Sequence, residues 1–210
     1  YLAITTLLNP GDEIIVIEPS WPAYKDCALN AGIKVRTIKT TLETRWEPSI
    51  DQIKNAINEN TKMIVLNYPN NPTGKVLPEK LLVNIFQTAK EHDLYVLSDE
   101  IYFRLDRLNE IRVPSQYCKP MISNHEKSII INSFSKSHAM TGFRIGWVIA
   151  EPSIIEKMSK LQALSLTNVS EPIQYVALRA LEANTTKNEQ VVRTRLDVLI
   201  QSAKDIGLEF

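Results

Sequence analysis

SFSKSHAMTGFRIGW occupies residues 133–147. It follows an apolar, β-branched run at 128–131, so the Ser133 and Ser135 hydroxyls and the Lys136 amine should emerge where a strand gives way to a turn. In an open α/β sheet that edge is where ligands bind. Gly142 admits a close backbone approach, and Arg144 brings a permanent cation whose planar fork suits phosphate. Amine, hydroxyls and arginine together point to a phosphorylated carbonyl ligand, with Lys136 as a Schiff-base lysine.

Working outward, short apolar runs alternate with longer amphipathic ones, the pattern of βαβ units and a mostly parallel sheet. Strands are expected at 13–18, 34–38, 62–67, 94–98, 128–131 and 145–150. The last of these follows its predecessor too closely for a helical crossover, so it is expected to run antiparallel. Tyr24, Cys27, Ala28 and Ala31 form one helical stripe, with Gly32 as its stop. Ile50, Ile53 and Ile57 form a second. Leu81, Leu82, Ile85, Phe86 and Ala89 form a third, opened by Pro78. After Ala150 the signals are helical only. Ser153 and Glu156 stand at capping-box spacing, a second helix follows Ser170, and a long third one begins near Asn184 with Val192, Leu196, Leu199, Ala203 and Ile206 as its stripe. The least regular stretch, 104–127, reads as a surface excursion near the site.

The chain has 210 residues, 44% of them hydrophobic, and 24 basic against 24 acidic side chains. A sizeable core is therefore available, and there is no basic field to favour nucleic acid or an anionic membrane. No apolar run approaches the roughly 20 residues of a membrane span. Small molecules are the expected partners. Cys27 and Cys118 provide no disulfide framework, which fits a reducing, cytoplasmic setting. His92, His125 and His138 have no metal-ligand spacing, so no metal is expected. Because the chain opens on Tyr1 inside an apparent helix, we expect a natural start upstream.

Chemistry-bearing groups follow four strands in turn. EPSWPAY places Trp21 beyond the first, and YPNNPTGK places Asn71 before a Pro-Thr-Gly turn beyond the third, with an Asn71-Pro72 bond that is a candidate for cis. SDEIY sets Asp99 and Tyr102 three apart beyond the fourth strand, and Lys136 follows the fifth. All four sets are thus expected at one crevice.

PNNPTG, SDEIY and SFSKSHAMTGFRIG resemble the fold-type I, class I/II aminotransferases that use pyridoxal 5′-phosphate (PLP), and the resemblance runs across most of the chain. It implies that Lys136 holds the cofactor and then acts as the base that shuttles a proton between substrate and cofactor. It also implies that Asp99 pairs with the pyridine nitrogen, Asn71 and Tyr102 bond the ring oxygen, and Trp21 stacks on the ring. Ser133 and Arg144 would bind the phosphate, with Ser135 as a helper. Residues 1–183 would be the large PLP-binding domain without its first strand and phosphate loop, and 184–210 a helix connecting to a small domain outside this sequence. Amino acid and 2-oxo acid would be the substrates and a homodimer the assembly.

Each residue also has a plain structural reading. Lys136 alone is a solvated lysine, Asp99 a turn cap, Trp21 or Tyr102 a packing residue, Asn71 a turn former and Arg144 a surface ion-pair partner. Their joint spacing favours the functional reading. Alternatives with the same fold are a C-S lyase, a cyclopropane-forming synthase, and the PLP-binding domain of a transcription regulator.

Overall fold

Ile14, Ile15, Val16 and Ile17 are all buried, which requires a strand covered on both faces. They lie in β1 (Glu13–Glu18) of a six-stranded sheet whose other members are β2 (Lys34–Lys39), β3 (Thr61–Asn67), β4 (Tyr95–Asp99), β5 (Ser128–Ser133) and β6 (Gly146–Ile149). This computed structural model describes residues 1–105, 115 and 125–208. The strand order is β2-β1-β3-β4-β5-β6. Every neighbouring pair is parallel except β5 with β6, which is antiparallel as the short connection requires. Expected and observed strand ends differ by two residues at most.

The period of two along each strand divides the core into two layers. Ile15, Ile17, Ile64, Leu66 and Val96 face α3 (Ile50–Ala56) and α4 (Glu79–Glu91), which contribute Ile53, Leu82, Ile85, Phe86 and Ala89. Ile14, Val16, Met63, Val65 and Leu97 face the opposite way. They pack against α1 (Leu2–Leu7), α2 (Ala23–Asn30) and α6 (Pro152–Ser165) through Ile4, Ala28, Ile154 and Met158. A smaller cluster joins Phe134 of α5 (Phe134–Ser137) to Met140 and to Ala177 and Ala180 of α7 (Glu171–Glu182). α7 thereby braces the short helix that carries Lys136.

Several local expectations change. The capping box forms at Ser49 and Gln52, not at Ser153 and Glu156. α6 already starts at Pro152, whose fixed φ suits a first helical position, so Ser153 lies inside the helix and Glu156 pairs with Lys160. Gly142 has open space where its Cβ would be. The close approach belongs to Gly146, where a Cβ would stand 2.6 Å from the Asn132 carbonyl oxygen. No residue of α8 (Thr186–Asp205) is buried; of the stripe expected there, Leu196 and Ala203 are half-buried and Val192 and Leu199 exposed. Most of the irregular stretch, including Cys118, lies outside the described residues. No helix among the described residues is long and apolar enough to cross a membrane.

Candidate active site

From β1 the chain steps outward to β2 and then returns to β3 on the other side of β1. That reversal leaves a crevice beyond the carboxyl ends of the strands. There Trp21, Tyr24, Asn67, Asn71, Asp99, Ile101, Tyr102 and Lys136 enclose a cavity of about 150 Å³.

Asp99 ends β4 and is held on both carboxylate oxygens. The Tyr24 hydroxyl donates to Oδ2 at 2.6 Å and the Ile101 amide to Oδ1 at 3.2 Å. Burial raises the carboxyl above its usual range, and these two donors oppose the rise. The Asp99 carbonyl accepts from Asn67 Nδ2 at 3.1 Å, while Asn67 Oδ1 accepts from the Asn71 amide at 3.0 Å. One buried amide therefore ties the end of β4 to the turn after β3. Asn71-Pro72 in that turn is cis. Asn71 Nδ2 reaches the Tyr102 hydroxyl at 3.5 Å, and Lys136 Nζ lies 5.7 Å from the centre of the Tyr102 ring.

Trp21 is 50% exposed and forms one wall, with its ring edge-on to Tyr24 at 5.5 Å. Glu100, the next residue after Asp99, is 2% exposed and turns away from the cavity, accepting from Ser98 Oγ and the Ser115 amide. Burial pushes its carboxyl up as well.

Ser133 Oγ accepts from the Ser135 amide at 3.1 Å, capping α5, while buried Phe134 anchors the helix against Trp147. In the following turn Ala139 and Arg144 take left-handed backbone, at φ 54° and 51°. Non-glycine residues in this region are uncommon and cluster at functional sites. The arrangement can hold a flat heteroaromatic ring. It offers an indole wall, a carboxylate for a ring N–H, an amide and a phenol for a ring oxygen, and an amine for a carbonyl.

The sequence profile of aminotransferase class I and II matches residues 1–209. The chain belongs to this family. Aspartate aminotransferase of Thermotoga maritima is 32% identical over 99% of this chain and 54% of its own length. The Streptococcus mutans asparagine–oxo-acid transaminase is 38% identical over 88% of this chain and 46% of its own. The crystal structure of the Thermotoga maritima enzyme superposes with a TM-score of 0.92 at 31% identity, covering 100% of this chain and 55% of that one. The chain thus spans about half the length of these relatives.

In this aminotransferase-family chain, Trp21, Asn71, Asp99, Tyr102 and Lys136 come together around one cavity, as their strand-end positions imply. Ser133, Ser135 and Arg144 do not line it. Arg144 is exposed and donates to the Thr141 carbonyl at 2.9 Å. Sequence reasoning placed Tyr24 on a core stripe and passed over Asn67 as a strand end. Both carried a usable signal. A buried phenol needs a partner for its hydroxyl, and an amide closing an apolar strand needs partners for its N–H and oxygen.

Proposed function

We propose that the full-length protein transfers the amino group of an amino acid to a 2-oxo acid with PLP as cofactor. The observation that carries this reading is Asp99 and Lys136 facing one cavity with Trp21 as its wall. A buried carboxylate suits a protonated ring nitrogen, and an amine close by suits an aldehyde. Lys136 holds the aldehyde and serves as the base for the proton at the substrate α-carbon. PLP, when bound, supplies the sink for the electrons that proton leaves behind. Asp99 holds the ring's positive charge. Asn71 and Tyr102 hold its oxygen, and Trp21 covers one face and keeps water from it. Ser133, Ser135 and Arg144 are assigned the phosphate, because hydroxyls and a guanidinium on the Lys136 turn form a suitable donor set.

Relatives named for aspartate, asparagine and prephenate make an aspartate-type donor the first to try. We assign residues 1–183 to the cofactor-binding domain and 184–210 to a connecting helix, a division supported by the lack of buried residues in α8. The acting form is taken as a homodimer on the strength of the family resemblance, and its setting as cytoplasmic, in keeping with two cysteines that provide no disulfide framework.

The test incubates full-length protein and PLP with aspartate and a 2-oxo acid, then quantifies products. Keto acid and aminated acceptor should appear in equal amounts. Ammonia released without aminated acceptor would overturn transamination in favour of elimination.

A further inference from the structure

We propose that Tyr24 is a positioning residue that orients the Asp99 carboxylate and keeps it charged for the ring of the cofactor. This rests on the PLP reading above. Three observations carry it.

First, the Tyr24 hydroxyl donates to Asp99 Oδ2 at 2.6 Å, a short bond of the kind made to an ionised acceptor. Second, Tyr24 is only 7% exposed and its ring is wedged edge-on against Trp21, so the phenol has little freedom to leave. Third, its environment fixes the direction of the bond. Burial, reinforced by the Asp99 charge, drives the phenol far above its ordinary range, so Tyr24 remains a donor at any pH the fold survives.

The geometry decides what such a donor does. A carboxylate has about four acceptor positions. Tyr24 takes one on Oδ2 and the Ile101 amide one on Oδ1. The carboxylate is thereby locked in rotation with acceptor positions left over. Without the hydroxyl, burial would act against a single donor, and Asp99 would gain a proton more readily and turn more freely. A protonated Asp99 no longer matches a protonated ring nitrogen. The other titratable or charged groups acting around Asp99 are Tyr102 and Glu100 on its own loop and Lys136 on α5.

The decisive variant is Tyr24→Phe in the full-length protein, which keeps the ring and removes only the hydroxyl. In the cofactor-free protein, the Asp99 carboxyl carbon is followed by carbon-13 NMR against pH. Its midpoint should move upward in the variant. PLP affinity, read by quenching of tryptophan fluorescence, should weaken by about tenfold, the effect of one hydrogen bond to a charged group. The weakening should grow as the pH is lowered, which a purely structural loss would not produce. An unchanged Asp99 midpoint overturns the proposal.

If Tyr24→Phe fails to fold, the wild-type protein decides. The ring carbon bearing the Tyr24 hydroxyl should titrate with the same midpoint as Asp99, and independent behaviour of the two overturns the proposal. If the wild-type protein takes up no PLP, the cofactor reading fails, while the two NMR titrations still decide whether Tyr24 governs Asp99.

Discussion

Gly146 on β6 lies so close to Asn132 on β5 that a Cβ at position 146 would meet the Asn132 carbonyl oxygen at 2.6 Å and the Ser133 Cβ at 2.8 Å. The antiparallel pair can close only over a residue without a side chain. Asn132 and Ser133 lead directly into the helix carrying Lys136, so this contact sets where the amine emerges. Gly146→Ala should force the strands apart and destabilise the protein by about 2 kcal/mol, a usual cost of overpacking. PLP affinity should fall with it. A urea midpoint and an affinity equal to wild type would show that the contact has slack.

Lys136→Ala should leave the fold intact, because among the described residues the amine makes no hydrogen bond and lies 5.7 Å above the Tyr102 ring. Turnover of the full-length protein should drop by about a thousandfold or more, the effect of losing both the cofactor-holding amine and the base. The absorbance band of lysine-bound PLP should disappear. Retention of normal turnover and of that band would remove Lys136 from its assigned role.

Trp21 separates binding from stability. Half of its surface is exposed, so Trp21→Ala should cost only about 1 kcal/mol, mainly its edge contact with Tyr24. PLP affinity should nevertheless fall by about tenfold, since one wall of the cavity would be gone. Large destabilisation with unchanged affinity would make Trp21 a packing residue.

Far from the cavity, Glu13 binds Arg36 Nε at 2.8 Å, Asn58 Nδ2 at 2.7 Å and Thr61 Oγ1 at 3.1 Å, joining β1 to β2 and β3. Burial acts to raise its carboxyl, but Arg36, Thr61 and Asn58 together hold it below its ordinary value of 4.5. The folded value is the depressed one, so the stabilisation is complete above the unfolded value and is lost as the pH falls through the folded one. Glu13→Gln should cost about 1.5 kcal/mol near neutrality. The gap between wild type and variant should close in acid, measured by urea unfolding at pH 7 and pH 3. A gap that stays constant would show that the charge is not what matters.

The centre of the sheet could be read from the sequence because β1 and β3 are covered on both faces. Runs such as Ile14 to Ile17 admit no helical stripe, and the short link before Gly146 leaves only an antiparallel return. Asp99 was legible for a related reason: it is a charge at the end of an apolar strand. Tyr24 was not. On a helix an aromatic residue that packs and one that also donates to a carboxylate give the same periodicity, and only the fold brings Asp99 to its hydroxyl. Ser153 misled because a capping pattern cannot be told from the same residues one position inside a helix begun by proline. The role given to Gly142 falls to Gly146 because spacing shows where a glycine is, not what passes beside it.

The bond between Tyr24 and Asp99 joins residues 75 apart in sequence. Between them the chain must complete β2 and β3, and Lys136 arrives only after β5. During synthesis the amine is the last of these groups to arrive, so a nascent chain that has reached only Tyr102 carries the ring-holding groups without an aldehyde trap. Capture of the cofactor then reports that the parallel sheet has been assembled in its correct order.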